Sequence, residues 1–200
     1  MQCRIDSMSS GDVPPPCLYL LWPRLKRDLP GSCVPVGYTL RPYRESDERA
    51  LLNLLGSDGE SVTEKEWCHY RDMLLPNGLF VVEATGSAGA VATAGAIHNP
   101  NPGRYYFPFG GELGYLIVER DHRRRGLGVA VCAAVIGRFL SAGYENIRVC
   151  VQEHRLPAIH LYLRLGFEPF LHSTEVEKRW QLICEAMGVT YKPDRWPSQL

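Results

Sequence analysis

The sequence predicts a mixed α/β domain. Short β-branched runs alternate with amphipathic helical segments, helix start and stop residues recur between them, and 200 residues at 45% hydrophobic content suffice for one sizeable core. No internal repeat is visible.

The first 36 residues read as an extension. Residues 1–16 carry Ser, Gly and the triplet Pro14-Pro15-Pro16 and are expected to be partly disordered. Leu18 to Trp22 can form a short strand, and Pro23 and Pro30 preclude a long regular element after it.

From Gly37 the pattern sharpens. Tyr38-Thr39-Leu40-Arg41-Pro42 reads as a strand, Ser46-Asp47 as a helix N-cap, and Ala50, Leu51, Leu54 and Leu55 as one helical face closed by Gly56. Thr63 with Glu66 has capping-box spacing, and Val62 with Trp67 has that of a hydrophobic staple. These predict a second helix over 64–74, stopped by Pro76-Asn77-Gly78.

Leu79 to Ala84 and Val91 to Ile97, joined by Gly86-Ser87-Ala88-Gly89, form a predicted hairpin. Glu112 to Val118 follows as a strand, and 128–142 as a helix whose buried face holds Val131, Ala134, Val135, Phe139 and Ala142 before Gly143. Asn146 to Val151 is another strand. Pro157 suits the first turn of the next helix, Gly166 its C-cap, and Phe167 starts a strand. Thr174 with Glu177 suggests a capping box for an appended helix carrying Val176, Trp180, Ile183 and Met187 before Gly188. The tail through Trp196-Pro197 reads as a surface strap.

Composition excludes several function classes. Lys plus Arg and Asp plus Glu both total 22, so the formal net charge is zero and no general attraction to nucleic acid or anionic membrane is expected. The apolar run near residue 20 is too short to span a bilayer. The seven cysteines are spread widely without a C-x-x-C pair, which points to reduced thiols and a cytoplasmic protein. His69, His98, His122, His154, His160 and His172 lack metal-ligand spacing, and no metal is expected.

The chemistry is expected around Leu113-Gly114-Tyr115-Leu116-Ile117-Val118, a turn to His122, then Arg123-Arg124-Arg125-Gly126-Leu127-Gly128 opening a helix. A helix N-terminus presents unpaired N–H groups with partial positive charge, and glycines at its mouth let a pyrophosphate approach the backbone. The dinucleotide fingerprint G-x-G-x-x-G fails because Val131 stands at its third position, and no Walker lysine follows. Taken alone, the segment also reads as a solvated basic turn.

Here the chain resembles the GNAT superfamily of Gcn5-related N-acetyltransferases. Arg123, Gly126 and Gly128 meet the family's Q/R-x-x-G-x-G/A signature, and Ala158-Ile159-His160-Leu161-Tyr162-Leu163-Arg164-Leu165-Gly166-Phe167 resembles its second block. The resemblance covers about residues 38–170. It implies a central, mostly antiparallel, twisted mixed sheet flanked by helices, with a splayed strand pair forming an acetyl-CoA cleft. It divides the chain into the extension 1–36, an acetyltransferase domain 37–172, and a C-terminal helix and tail 173–200.

The resemblance further implies acetyl transfer from acetyl-CoA to a primary amine, on a small molecule or a protein or peptide N-terminus, by direct attack in a ternary complex. The backbone of Leu116, Ile117 and Val118 would pair with pantetheine and offer an N–H to the oxyanion, while Arg123, Arg124, Arg125, Gly126, Leu127, Gly128 and Val129 would hold the pyrophosphate. The family often carries Asn three residues before the Ala of its second block. Arg155 stands there and is the expected cofactor contact at that position. Glu112 matches the glutamate base of the histone-acetylating branch, and strand alternation puts it on one face with Leu116. Tyr162 matches the acid that protonates the departing thiolate.

Cysteine nucleophiles are disfavoured, since Cys132 falls in a helix and Cys150 in a strand with no base evident. The aromatic connection Asn99 to Phe109 is a candidate lining for the acceptor pocket. A non-catalytic acyl-CoA-binding module and an enzyme using another acyl-CoA remain as alternatives. Either a monomer or a homodimer is compatible with this reading.

Overall fold

A computed structural model describes residues 17–23, 26, 28, 31, 33–57, 62–86, 89–98 and 110–198. Among them, in chain order, are β1 Leu18–Leu21, β2 Tyr38–Pro42, α1 Glu48–Gly56, α2 Glu64–Met73, β3 Leu74–Ala84, β4 Ala90–His98 and β5 Gly110–Val118. Next come α3 Leu127–Ser141, β6 Asn146–Val151, α4 Leu156–Leu165, β7 Glu168–Pro169 and α5 Thr174–Met187. The fold is mixed α/β, as expected. It divides into two units, one of residues 24–147 and the other of residues 1–23 with 148–200.

In the unit 24–147, β2, β3, β4 and β5 pair in that order, each antiparallel to its neighbour. One face of this sheet carries α1 and α2. Leu51 and Leu55 of α1 and Trp67 and Tyr70 of α2 close over Leu79, Val81 and Ile97 as a buried apolar cluster. The other face carries α3. Gly111 stands opposite His98 and so points away from Ile97's side, and a methyl group on it would lie 2.2 Å from Phe139 of α3. Glycine at 111 is what lets the helix approach this closely.

Local chemistry explains the helix ends. Thr63 and Glu66 form the expected capping box: the Thr63 N–H donates to the Glu66 carboxylate at 2.9 Å, and Glu66 N–H donates to Thr63 Oγ1 at 3.3 Å. Val62 packs on the cluster that contains Trp67. At α1, the Asp47 side chain does not cap the helix. It accepts from the Arg44 N–H at 2.8 Å and from both Arg41 Nη atoms at 2.7 and 2.8 Å, closing the 3-10 turn Glu45–Asp47 and tying α1 to β2.

Pro76-Asn77-Gly78, expected to stop α2, lies instead within β3. The helix ends at Met73, and the ladder runs from Leu74↔Ile97 to Leu79↔Gly95, so five steps on β3 match two on β4. Asn77 takes φ +54° in the looped-out part. The turn-forming residues are thus absorbed as an irregularity in a strand.

In the other unit, β1 lies between β6 and β7. Leu18 to Leu21 pair antiparallel with Val151 to Arg148, and Leu20 and Leu21 with Pro169 and Glu168. A segment assigned to the extension therefore supplies the middle strand here. Trp22 meets Phe167 edge-on at 5.3 Å.

The α4 helix has Pro157 in its first turn and ends at Gly166 with φ +102°. For α5 the cap is Ser173, not Thr174: Ser173 Oγ accepts from the Val176 N–H at 3.3 Å, and Thr174 is the first helical residue. The tail is held down, since Pro197 O accepts from the Leu171 N–H at 2.8 Å and the Trp196 ring meets Trp180 at 6.4 Å.

Among the described cysteines, one departs from the reduced-thiol expectation. Cys17 is disulfide-bonded, while Cys33, Cys68, Cys132, Cys150 and Cys184 are free. Among the described residues no helix is long and apolar enough to cross a membrane.

Candidate active site

The β4–β5 ladder breaks register at one point. Gly95 pairs with Gly114 and Thr93 with Ile117, so two steps on β4 face three on β5, and the extra residue is a bulge in which Tyr115 takes φ +53°. An unpaired residue in a strand bends it and releases backbone N–H and C=O groups from the ladder. The isolated glycine at 114 was the sequence signal for this irregularity.

The bulge changes which side chains share a face. Glu112 stands opposite Ile97 and Ile117 opposite Thr93; Ile97 and Thr93 are four residues apart on β4 and point the same way. Glu112 therefore shares its face with Ile117, five residues on, and not with Leu116 as plain alternation predicts. That face bears α1 and α2. Glu112 is only 6% exposed, which is unusual for a carboxylate.

Two glycines make the floor beside Glu112. Gly95 and Gly114 face one another across the ladder, and Tyr70 of α2 fills the space above Gly95: a methyl group there would lie 1.9 Å from the Tyr70 hydroxyl oxygen. The Tyr70 ring lies 3.8 Å from that of Tyr115, linking α2 to the bulge residue. Burial pushes the Tyr70 phenol well up from its ordinary pKa, so it stays protonated. Sequence reasoning did not single out Tyr70, because its contact with residue 95 depends on tertiary packing.

Past the bulge, Leu116, Ile117 and Val118 are half-buried at the end of β5. The Glu119 N–H donates to Val91 O at 2.8 Å, and a 3-10 turn Arg120–His122 leads to the basic run. Arg123, Arg124 and Arg125 are exposed. Arg123 Nε donates to Val118 O at 2.9 Å, and Arg125 Nη2 donates to Asp121 O at 3.1 Å, so two of the three arginines fold the loop onto its own backbone.

Arg124 and Gly126 take φ +60° and +84°, either side of a residue with ordinary negative φ. Alternation of this kind turns successive N–H groups toward one side, the geometry of an anion-binding nest. Gly126 is the N-cap of α3, and its C=O accepts from the Ala130 N–H at 3.0 Å. The N–H groups of Leu127, Gly128 and Val129 precede the first intrahelical donor, and no acidic side chain occupies the first turn. These residues suit a pyrophosphate.

Arg155 and Tyr162 belong to the other unit. Arg155 is the half-buried N-cap of α4, with its C=O accepting from the Ala158 and Ile159 N–H groups. Tyr162, 6% exposed, meets Phe167 edge-on at 5.9 Å. The other expected sites resolve simply. Cys132 is fully buried, and burial pushes its thiol well up in pKa, away from the reactive thiolate. Among the described residues no group of three or more His, Cys, Asp or Glu is placed to hold a metal ion. The connection Asn99 to Phe109 lies outside the described residues.

A model of the acetyltransferase (GNAT) family matches residues 43–167. The chain belongs to the GNAT family. Solved structures agree on the GNAT fold. A GCN5-related N-acetyltransferase from Sphaerobacter thermophilus is similar with a TM-score of 0.62 at 22% identity, over 77% of this chain and 49% of that one. The ribosomal-protein-S18-alanine N-acetyltransferase of Escherichia coli gives 0.52 at 21% identity, over 64% and 76%. A GCN5-related N-acetyltransferase from Kribbella flavida gives 0.51 at 22% identity, over 78% and 54%. The chain thus spans about half the length of the Sphaerobacter and Kribbella proteins. No curated protein matches it. The GNAT match takes in Glu112, the bulge, the basic loop, Arg155 and Tyr162, whereas β1, β2 and α5 lie outside it.

Proposed function

We propose that this GNAT protein transfers an acetyl group from acetyl-CoA to a primary amine, on a small molecule or a protein or peptide N-terminus, by direct attack in a ternary complex. The observation that carries the reading is the continuous path from the Tyr115 bulge to the αL Gly126 at the mouth of α3, which combines released strand backbone with an anion-binding helix start. Leu116 to Val118 would hold the pantetheine arm by backbone pairing. Arg123 to Val129 would bind the phosphates; a role for Arg155 toward the adjoining arm rests on its place before the Ala158 to Phe167 block alone.

Acetyl-CoA supplies a thioester carbonyl open to attack. The amine, cationic at neutral pH, gives a proton to Glu112, directly or through water, and its nitrogen then bonds to that carbon. A backbone N–H near Ile117 or Val118 stabilises the oxyanion. The carbon–sulfur bond breaks, the acylated nitrogen releases its second proton to solvent, and Tyr162 protonates the departing thiolate; this role rests on its place in the Ala158 to Phe167 block. Burial of the Glu112 carboxyl beside the bulge supports the choice of base.

A thiol-release assay with acetyl-CoA across a panel of small amines and N-terminal peptides tests the reading. Release that depends on both substrates is expected. Binding of acetyl-CoA without release with any amine would favour a non-catalytic module, and preference for a longer acyl-CoA in competition would redefine the donor.

A further inference from the structure

We propose that Tyr38 and His122 form a positioning pair that holds the loop Glu119 to Gly126 in its binding shape from a segment outside the family match. Its effect on coenzyme A affinity rests on the acetyl-CoA reading above.

Tyr38 opens β2 and His122 closes the 3-10 turn that leads into the basic run. They stand 84 residues apart in sequence, yet Tyr38 Oη lies 2.9 Å from His122 Nδ1, with the rings edge-on at 5.7 Å and 88°. On its far side, His122 Nε2 faces the Glu119 carboxylate at 3.6 Å. With the imidazole proton on Nε2, toward Glu119, Nδ1 accepts from the Tyr38 hydroxyl. The ring is thereby held from both edges.

The segment that carries Tyr38 also runs near the far end of the loop. Pro35 Cγ is the atom that a methyl group on Gly126 would meet, at 3.9 Å. Pro35 and Tyr38 are joined by a tight turn: the Tyr38 N–H donates to Pro35 O at 3.1 Å, and Gly37 takes φ +86°. The Thr85 N–H donates to Gly37 O at 2.8 Å, fastening this turn to the end of β3. One fastened turn therefore holds the loop near its start, at His122, and lies close to its end, at Gly126.

The loop needs such support. Arg124 holds a left-handed backbone at φ +60° without being glycine, and a strained residue persists where its surroundings over-determine it. Arg123 and Arg125 donate to Val118 O and Asp121 O, within the same stretch of chain. The Pro35–Tyr38 turn precedes the family-matched residues 43–167, whereas His122 lies within them. A loop held in its binding shape before the ligand arrives binds more tightly than one ordered on arrival. Neither Tyr38 nor His122 need touch a reacting atom.

The test uses the full chain with Tyr38→Phe, His122→Ala and His122→Asn, whose amide can replace Nδ1 as hydrogen-bond partner. Hydrogen exchange of the Arg123 to Gly128 amides, read without ligand, is expected to quicken about 3- to 10-fold in Tyr38→Phe and further in His122→Ala, with His122→Asn near wild type. Coenzyme A Kd and acetyl-CoA KM are expected to rise by similar factors while kcat stays within about 2-fold. Unchanged exchange in both Tyr38→Phe and His122→Ala overturns the clamp, as does a fall in kcat without a change in KM. Wild-type protein that fails to bind coenzyme A, with quickened exchange in the variants, overturns the acetyl-CoA reading and the affinity effect while upholding the clamp.

Discussion

Glu112 stands directly opposite Ile97 across β4 and β5, three residues before the bulge at Tyr115. Its carboxyl consequently faces the side bearing α1 and α2, with Tyr70 two residues along the ladder over Gly95. If Glu112 takes the amine proton, Glu112→Gln should lower kcat by about 100- to 10,000-fold at neutral pH and leave the coenzyme A Kd within about 2-fold. Retained turnover would move the base role to water or to another residue.

Tyr162 is separable from Glu112 by the same kinetics. Tyr162→Phe keeps the ring that meets Phe167 and removes the hydroxyl alone. Turnover is expected to fall about 10- to 1000-fold with little change in acetyl-CoA affinity. An unchanged kcat would leave Tyr162 as a packing residue.

Gly126 combines φ +84° with its place at the mouth of α3. A β-branched side chain is strained in that conformation and would crowd the approach to the helix amides, so Gly126→Val should weaken coenzyme A binding by more than about 10-fold, measured by calorimetry. Full affinity in a folded Gly126→Val protein would place the pyrophosphate elsewhere.

Acid stability should report on Asp47. The hydrogen bonds from Arg41 hold the Asp47 carboxyl below the usual carboxylate range. The unfolded chain binds this proton near pH 4 and the folded chain only at lower pH, so the pair's contribution is complete above about pH 4 and declines as pH falls through the folded value. Urea midpoints of wild type should therefore drop more steeply below about pH 4 than those of Asp47→Asn. Equal slopes would remove the pair from the account.

Packing at the bulge can be tested through Gly95. Gly95→Ala should destabilise the protein by about 1–3 kcal/mol, because its methyl would lie 1.9 Å from the Tyr70 hydroxyl oxygen. Tyr70→Phe removes that atom, and the double variant should recover part of the loss, a positive coupling readable in a denaturation cycle. Additive effects would show that the strand yields instead.

Much of the fold was legible because its signals are local. Tyr38–Pro42 and Asn146–Val151 begin and end where their strand-like runs do, and Thr63, Glu66 and Gly166 mark helix ends through hydrogen bonds and dihedrals reached within a few residues. What escaped depends on partners distant in sequence. Leu18–Leu21 is a four-residue run whose place between β6 and β7 no local pattern encodes. Ser173 and Thr174 both suit a cap, and only the extended backbone of Ser173, φ −161°, decides between them. For the candidate site, the motif located the loop, but the phase shift at Tyr115 and the Tyr38–His122 contact required the tertiary structure.

The hydroxyl of Tyr70 occupying the place of a side chain on Gly95 has a further consequence, for how such a chain can diversify. The two positions cannot drift independently. A larger residue at 95 costs less once the phenol at 70 has been lost, although Leu74 Cδ2 would still lie 2.9 Å from its methyl, whereas loss of the phenol needs no prior change at 95. Substitution histories through this part of the sheet should therefore favour loss of the tyrosine at 70 before alanine at 95.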